Sequence, residues 1–498
     1  MLNQSLPLDA ETIAQPLYWP TQIRDHEAAA AQLAGTDLPT LMERAGAAIF
    51  GLARQRWPEA RCWLVLCGGG NNGGDGYVVA RLARAIGLQV RLVAATPVVD
   101  LKGDAAAAAA AFMAAGGEPL AWDESLLDGC QLVIDALLGS GANGPLRPPL
   151  AALCRAVNQR GLPLLAADLP TGLNGGTGAA DEDALVAALT VTLIGAKPGL
   201  YNGRGPAVAG EVVVAGLGVA DELATLTTPA GALLAPSNPP LPPRLAVAHK
   251  GLGGRLLVIG GGHGMAGAAR LAGEAALRVG AGLVAVGCAP ENLPAIVATR
   301  PELMVSAIAD EGALQPLLDW ASQIAVGPGL GRDRWGEARW QQALASGKPL
   351  VVDGDALWWL AAAPVKRHDW VLTPHPGEAA RLLGCPLAEV EADRIAAVQQ
   401  LVARYGGVAV LKGAGSLIGD ECGWALSPWA IPAMATAGMG DLLTGIIAAL
   451  RAQGLSAVDA ARTGVILHAR AAAFAAGGDR RGLLASDLMP WLRTFSNG

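Results

Sequence analysis

Short apolar runs that end in glycine-rich loops and pass into helical patterns recur along the chain. This alternation limits the fold more than any other feature. Runs at 62–66, 89–94, 131–137, 163–167, 189–194 and 211–215 are interleaved with helical patterns at 77–86, 103–115 and 148–160. A second series runs at 255–259, 282–287, 324–326, 350–352, 370–372 and 408–411, with a helical pattern at 269–279. Uniformly apolar runs of this length read as strands buried on both faces, and strand–helix alternation implies right-handed crossovers and a mostly parallel sheet. The predicted fold class is α/β in three layers, twice. Ahead of the first run, Ile23, Ala30, Leu33, Leu41, Ala45, Ile49 and Leu52 keep helical spacing and predict one helix over 21–56.

A chain of 498 residues exceeds one core, so two domains are expected. The stretch 227–243 holds six prolines in 17 residues and reads as a linker. It divides the chain into domains 1–226 and 244–498. A hydrophobic content of 52% with 66 glycines suits Ala- and Gly-rich helices covering a buried sheet. The net charge of −7, without a basic run, argues against nucleic acid or an anionic membrane as partner. No apolar stretch reaches the roughly 20 residues of a membrane span, and the first 20 residues lack the pattern of a signal peptide. Seven cysteines, with no CxxC pair, fit a reduced cytoplasmic protein. A homo-oligomer is left open.

Two glycine-rich segments stand out. Cys67-Gly68-Gly69-Gly70-Asn71-Asn72-Gly73-Gly74-Asp75-Gly76 lies between a strand and a helix. Ala437-Gly438-Met439-Gly440-Asp441 opens the helical stretch 442–450. Free backbone N–H groups at such a helix mouth can hold a phosphate. The plain alternative in each case is a capped strand-to-helix turn. In the first domain, Asp135 and Asp168 also begin glycine turns at strand ends, and oxygen-rich loops of this kind suit a hard cation or a ribose and phosphates. Loops at the carboxyl ends of parallel strands converge on one site. In the second domain, Thr373-Pro374-His375-Pro376-Gly377-Glu378 holds a histidine in a stiff loop, and Lys412-Gly413-Ala414-Gly415-Ser416 offers a cation and N–H groups for phosphates. Asp441, at a helix N-terminus, is the candidate base, with the helix dipole expected to hold its pKa low. His263, His468, Trp358 and Trp359 read as structural.

Asn71-Asn72-Gly73-Gly74-Asp75-Gly76, Asp135-Ala136-Leu137-Leu138-Gly139-Ser140-Gly141, Asp168-Leu169-Pro170-Thr171-Gly172 and the segment from Thr190 to Gly199 resemble the NAD(P)H-hydrate epimerase family over roughly 10–220. The resemblance implies a Rossmann-like domain with hydrated NADH or NADPH bound by Asn71, Asn72, Gly73, Gly74, Asp75, Gly139, Ser140, Gly141, Ala142, Asn143, Gly144, Pro145 and Asp168. It also implies catalysis by Asp168, and a potassium ion on Asn72, Asp135 and Thr171. Thr171 replaces an expected Ser and keeps the hydroxyl. Ala188 stands where Asp is frequent.

The segments Gly264 to Ala268, Glu274 to Leu283, Val326 to Gly331, Thr373 to Glu378, Lys412 to Ser416 and Met434 to Ile447 resemble the ribokinase-like, ADP-dependent NAD(P)H-hydrate dehydratase family over about 245–495. That resemblance implies Ala268, Gly331, His375 and Asp441 at the hydrated substrate, with Asp441 catalytic. It implies Lys412, Gly413, Ala414, Gly415, Ser416 and Gly440 at ADP, a co-substrate carried with Mg2+. Ile431-Pro432-Ala433 and Ala437 depart from the usual Asn-Pro-Gly and Gly. Together the two resemblances imply a bifunctional repair enzyme. It would interconvert R and S epimers and dehydrate the S form. A ribokinase-like vitamin-precursor kinase fused to a nucleotide-binding domain is the rival reading; a nucleotide sensor or scaffold is the non-enzymatic one.

Overall fold

The computed structural model describes residues 15–141, 144–235, 241, 244, 246–298 and 300–497. Ala142, Asn143 and much of the proline-rich stretch (236–240, 242 and 243) lie outside them. Two compact units emerge, Gln15–Ala232 and the residues from Leu233 onward.

The first unit is built on seven strands: β1 (Cys62–Cys67), β2 (Gln89–Ala94), β3 (Pro119–Leu120), β4 (Leu132–Ala136), β5 (Leu164–Ala167), β6 (Leu189–Leu193) and β7 (Glu211–Ala215). All are parallel, in the order β3-β2-β1-β4-β5-β6-β7. Alternate residues of β1 enter opposite cores, as a period of two requires. Trp63, Val65 and Cys67 pack with Ile49, Val79 and Phe112, whereas Cys62, Leu64 and Leu66 pack with Leu153, Cys154 and Val157. Helices therefore cover both faces, and this is why β1 is apolar throughout. The chain reverses its direction of strand addition between β1 and β4. Such a switch point opens a crevice at the carboxyl ends of the strands.

Two expectations change here. The helix predicted over 21–56 is two helices, Pro20–Leu33 and Leu38–Arg56. Gly35 takes φ +68° between them, and Asp37 caps the second through the Thr40 N–H at 2.9 Å. The helix after β1 begins at Asn71, six residues before the predicted start, so Gly73, Gly74 and Asp75 are helical. Tertiary contact outweighs the poor helix propensity of glycine here. A Cβ on Gly73 would lie 2.0 Å from the Gly68 carbonyl oxygen, so only glycine lets the helix start against the loop.

The second unit has nine strands: β8 (Arg255–Ile259), β9 (Leu283–Cys288), β10 (Met304–Ala307), β11 (Gln323–Val326), β12 (Leu350–Val352), β13 (Trp370–Leu372), β14 (Val408–Leu411), β15 (Leu417–Asp420) and β16 (Gly423–Leu426). Their order is β16-β15-β14-β13-β12-β11-β8-β9-β10. Of these nine, β15 alone runs against the rest, pairing antiparallel with both β14 and β16. The apolar runs did not reveal β10, β15 or β16. The helix Met439–Ala452 is buried from Leu442 to Leu450. It packs on the helix Ala266–Arg278 so closely that a Cβ on Gly445 would lie 2.0 Å from the Ala272 carbonyl oxygen. Among the described residues no helix is long and apolar enough to cross a membrane.

Gly445→Ala gains up to about 1 kcal/mol of helix propensity but forces these two backbones apart, an overpacking that costs about 1–3 kcal/mol. A net fall in the melting temperature of the full chain is expected in scanning calorimetry. A rise would show that the two helices can separate freely.

Candidate active sites

The first site lies at the switch point between β1 and β4, in a cleft of about 530 Å³. Asp168 follows β5, is 5% exposed and has φ +64°. Its carboxylate accepts from Lys197 Nζ at 2.5 Å, Ser140 N at 3.0 Å and Leu193 N at 3.3 Å. Burial pushes this carboxyl up, but the Lys197 charge and these hydrogen bonds outweigh it and hold it below the usual range. Lys197 is 0% exposed and also donates to Thr192 Oγ1 at 3.0 Å and the Leu193 carbonyl at 2.8 Å. Asp75 lines the same cleft. Burial, then the charges of Asp168 and Glu27, push its carboxyl well above the ordinary value. Of these two neighbouring acids, Asp168 is thus the easier and Asp75 the harder to ionise.

Backbone strain marks the same place. Among the described residues three non-glycines have positive φ, namely Asp168, Ile194 at +67° and Leu217 at +53°. All three line this cleft. A β-branched residue in that region is a costly outlier, and such outliers gather at functional sites.

Beside the cleft, Asp135 is fully buried. It accepts from Thr171 N and Thr171 Oγ1, both at 2.7 Å, and from Leu137 N at 3.2 Å. Burial lifts it to about 6 against these hydrogen bonds. The Asn72 amide has both of its polar atoms buried without a hydrogen-bond partner among the described residues. The Asn72 side chain lies against Gly139, next to Leu138, whose N–H donates to Thr171 Oγ1 at 3.1 Å, and an amide, a carboxylate and a hydroxyl are oxygen donors of the kind a hard cation takes.

The second site is centred on Asp353, just beyond β12 and 3% exposed. Its carboxylate accepts from Lys412 Nζ at 2.7 Å and Thr444 Oγ1 at 2.8 Å. Burial raises its pKa, but Lys412 and Thr444 outweigh that and keep it low. Asp441 stands in the first turn of helix Met439–Ala452. A Cβ on neighbouring Gly440 would lie 3.2 Å from Lys412 Nζ, so the helix mouth faces the lysine. The expected low pKa of Asp441 is corrected: burial, then the Asp353 charge, push it up to about 7 despite Lys412. Glu378 likewise rises to about 7, mainly through burial. Buried Arg394 donates to the carbonyls of Leu411, Lys412, Ala414 and Gly415. This ties down the carbonyl side of the Lys412–Ser416 loop, while Lys412 N donates to the Pro374 carbonyl at 2.9 Å and Gly415 N to the Trp429 carbonyl at 3.2 Å.

Two family models match these two units. One is described as YjeF-related protein N-terminus, over residues 39–199, and the other as NAD(P)H-hydrate dehydratase, over residues 256–493. A bifunctional NAD(P)H-hydrate repair enzyme of Coxiella burnetii is 46% identical over 97% of this chain and 99% of its own length. The chain belongs to that bifunctional family. The Escherichia coli member is 44% identical over 100% of this chain and 97% of its own. Among solved structures, an ADP/ATP-dependent NAD(P)H-hydrate dehydratase from Bacillus subtilis, co-crystallised with ATP and Mg2+, is 30% identical over 51% of this chain and 93% of its own, with a TM-score of 0.46.

Against this family background the sequence-predicted residues sort as follows. Asn71, Asn72, Asp75, Gly139, Ser140, Gly141 and Asp168 do meet in the first cleft. Gly73 and Gly74 do not; they face the Gly68 backbone and Met42. Gly144 and Pro145 line a neighbouring cavity of about 1020 Å³ on the far side of the same loop, while Ala142 and Asn143 lie outside the described residues. Ala188 sits at the amino end of β6, opposite the cleft, so its departure leaves the site untouched. In the second unit Asp441, Gly440 and Lys412 come together around Asp353. Gly413 at φ +149°, Ala414, Gly415 and Ser416 follow directly from Lys412. Ala268 and Gly331 flank the Gly329 turn through Met265. His375 caps its helix, its Nδ1 accepting from Gly377 N at 3.0 Å, and it lines a cavity of about 220 Å³ with Trp358, Arg332 and Glu378, the last of these 3.8 Å from Lys412 Nζ. His468 is buried with Nε2 unpartnered among the described residues, and His263 pairs at the surface with Glu291. The sequence reading passed over the site roles of Lys197, Asp353, Thr444, Glu378 and Arg394. Lys197 and Asp353 do follow strands, the only local signal available.

The raised pKa of Asp441 makes a prediction about stability. An unfolded Asp ionises near about 3.9, whereas the folded group does so at about 7. Its neutral form is favoured in the fold, so this contribution is fully present below the unfolded value and is lost as pH rises through about 7. Asp441→Asn fixes the neutral form. The variant is expected to melt higher than the parent at pH 8 and to match it near pH 4 in scanning fluorimetry. Equal melting at both pH values would place Asp441 in water, free of burial.

Proposed function

We propose that the two clefts share one repair task. The substrate is NADH or NADPH to which water has added across the C5–C6 bond of the ring. The first cleft interconverts the R and S epimers at C6, and the second returns the S form to NAD(P)H using ADP, with AMP and phosphate released. The observation that carries this reading is a lysine-held carboxylate with a second acid beside it in each site: Asp168 on Lys197 with Asp75, and Asp353 on Lys412 with Asp441.

In the first cleft protonated Asp75 can give a proton to the departing C6 hydroxyl, and ionised Asp168 can take one from the water that returns. Lys197 holds Asp168 in place and ionised. Asn72, Asp135 and Thr171 would hold a potassium ion, which would supply charge that fixes the loops bearing Asn72 and Thr171. In the second cleft a base of pKa about 7 suits removal of the proton from the C6 hydroxyl as it attacks the β-phosphorus of ADP. The P–O bond to AMP breaks, phosphate then leaves C6 with its bonding pair, and a proton lost from C5 to solvent restores the C5–C6 double bond. The N–H groups at the mouth of helix Met439–Ala452, and Lys412, lie where phosphoryl charge develops. Among the described residues no three His, Cys, Asp or Glu side chains cluster as a metal cage. That fits a Mg2+ held largely by nucleotide phosphates and water.

Full-length variants separate the two activities. Asp441→Asn is expected to lower dehydration of the S epimer at least about 100-fold while R and S still equilibrate. Asp168→Asn is expected to do the converse, leaving R unconsumed in the presence of ADP. Chromatography of R, S and AMP reads both; loss of both activities in either variant rejects two independent sites.

Replacing potassium by a bulky organic cation is expected to slow epimerisation and leave dehydration unchanged. Asp135→Ala should blunt that dependence. Epimerisation indifferent to the cation would reduce Asp135 to a cap for Thr171.

A further inference from the structure

The first cleft has a charge pattern that neither the substrate nor the product explains. Four carboxyl groups line it, Glu27, Asp75, Asp104 and Asp168, against two cations, Arg24 and Lys197. Lys197 is committed to Asp168 at 2.5 Å, and Arg24 also pairs with Asp25 at 3.4 Å. Asp75 is 5% exposed, and no hydrogen bond to its carboxyl is found among the described residues. It is therefore a buried, unpartnered group aimed into the cavity. An acid-rich wall repels the phosphates of a dinucleotide. Those phosphates belong at the exposed mouth, Gly69 to Asn71, where the helix Asn71–Ala85 offers its first N–H groups. The ring end is what meets the acids.

The ring of the hydrated substrate is neutral, but the species between its two epimers is not. When the C6–O bond breaks, oxygen leaves with the bonding pair and takes a proton from an acid. The N1 lone pair then forms an N1=C6 double bond, and the ring is flat there and carries one positive charge. Water adds to either face of C6, loses a proton, and the ring is neutral again. Glu27 and Asp104, and Asp75 once it has given its proton to the leaving oxygen, are the carboxylates of this wall not already paired with Lys197, and such charges favour the ring only while it is cationic, which is how a site accelerates a reaction.

We infer that the acid-lined cleft is selective for a flat cationic ring, and that the oxidised dinucleotide, whose pyridinium nitrogen carries the same charge, is an inhibitory ligand of the first site. The inference rests on reading this cleft as the epimerising one. NAD+ would then compete for it far better than NADH, which differs in ring charge and little else. An excess of the oxidised cofactor would hold epimerisation back.

The test measures R-to-S conversion by the full chain without ADP, so that the second cleft does no dehydration. NAD+ is expected to inhibit competitively at a concentration at least about tenfold lower than NADH, the scale of one partly screened charge contact. Glu27→Gln and Asp104→Asn each remove one wall charge, and each is expected to shrink that ratio severalfold while inhibition by NADH holds. Equal inhibition by NAD+ and NADH overturns the inference, as does a ratio untouched by both variants. If R and S never exchange, the epimerising reading fails by itself. Calorimetric titration then decides the charge inference: Glu27→Gln must weaken NAD+ binding and spare NADH binding, and unchanged NAD+ binding overturns it.

Discussion

Each unit hangs its site on a buried carboxylate–ammonium pair at the carboxyl end of its sheet. In the first unit the pair is Asp168 with Lys197 at 2.5 Å, and in the second Asp353 with Lys412 at 2.7 Å. Taking two such ions out of water costs several kcal/mol each, and their attraction offsets this only when the geometry is good and the remaining donors and acceptors are satisfied. Both pairs meet that condition. Thr192 and the Leu193 carbonyl complete the shell of Lys197, and Thr444 completes that of Asp353. Each pair also joins loops that follow different strands. Loss of one partner would leave the other charge buried and alone.

The rest of the chemistry follows from where these fixed negative charges sit. Asp168 raises Asp75, and Asp353 raises Asp441, in each case on top of burial. A second carboxyl near an ionised one resists ionising, so each site holds one Asp that ionises easily and one that does not. Two sheets with different strand orders thus reach the same electrostatic arrangement. The strained φ of Asp168 belongs to this account, because it turns the carboxylate back toward Lys197 and the Ser140 N–H instead of letting the strand continue.

What the sequence discloses and what it hides divide by range. Buried parallel strands are legible because both of their faces are apolar, and glycine loops are legible because backbone approaches need them. The break at Gly35 and Asp37 was written in local residues, a left-handed glycine and a capping acid, and the apolar periodicity on either side masked it. The early start of the helix at Asn71 was not legible locally, since its glycines disfavour a helix until Gly68 packs against them. β10, β15 and β16 each carry a polar or glycine residue (Ser306; Gly419 and Asp420; Gly423) and so do not read as the uniformly apolar runs that mark most of the other strands. The partners of the two anchoring acids lie 29 and 59 residues away along the chain. No spacing rule reaches that far. The contact of Asp135 with Thr171 spans 36 residues in the same way.

Asp441 shows how a correct local rule can give the wrong charge state. A helix N-terminus favours an anion by about 0.3–1 kcal/mol at the surface, less than one pKa unit at about 1.36 kcal/mol per unit. Removal from water and a neighbouring carboxylate act in the opposite direction, and near an ionised Asp353 they are the larger effects. The residue reaches about 7 in consequence. For the proposed chemistry this is the better value. A base far below the working pH would be ionised but weak, and one far above would be strong but occupied by its proton. Proton transfer is most efficient when the group titrates near the pH at which it works. The negative field of Asp353 that favours the charged form of Lys412 is therefore the same field that raises Asp441.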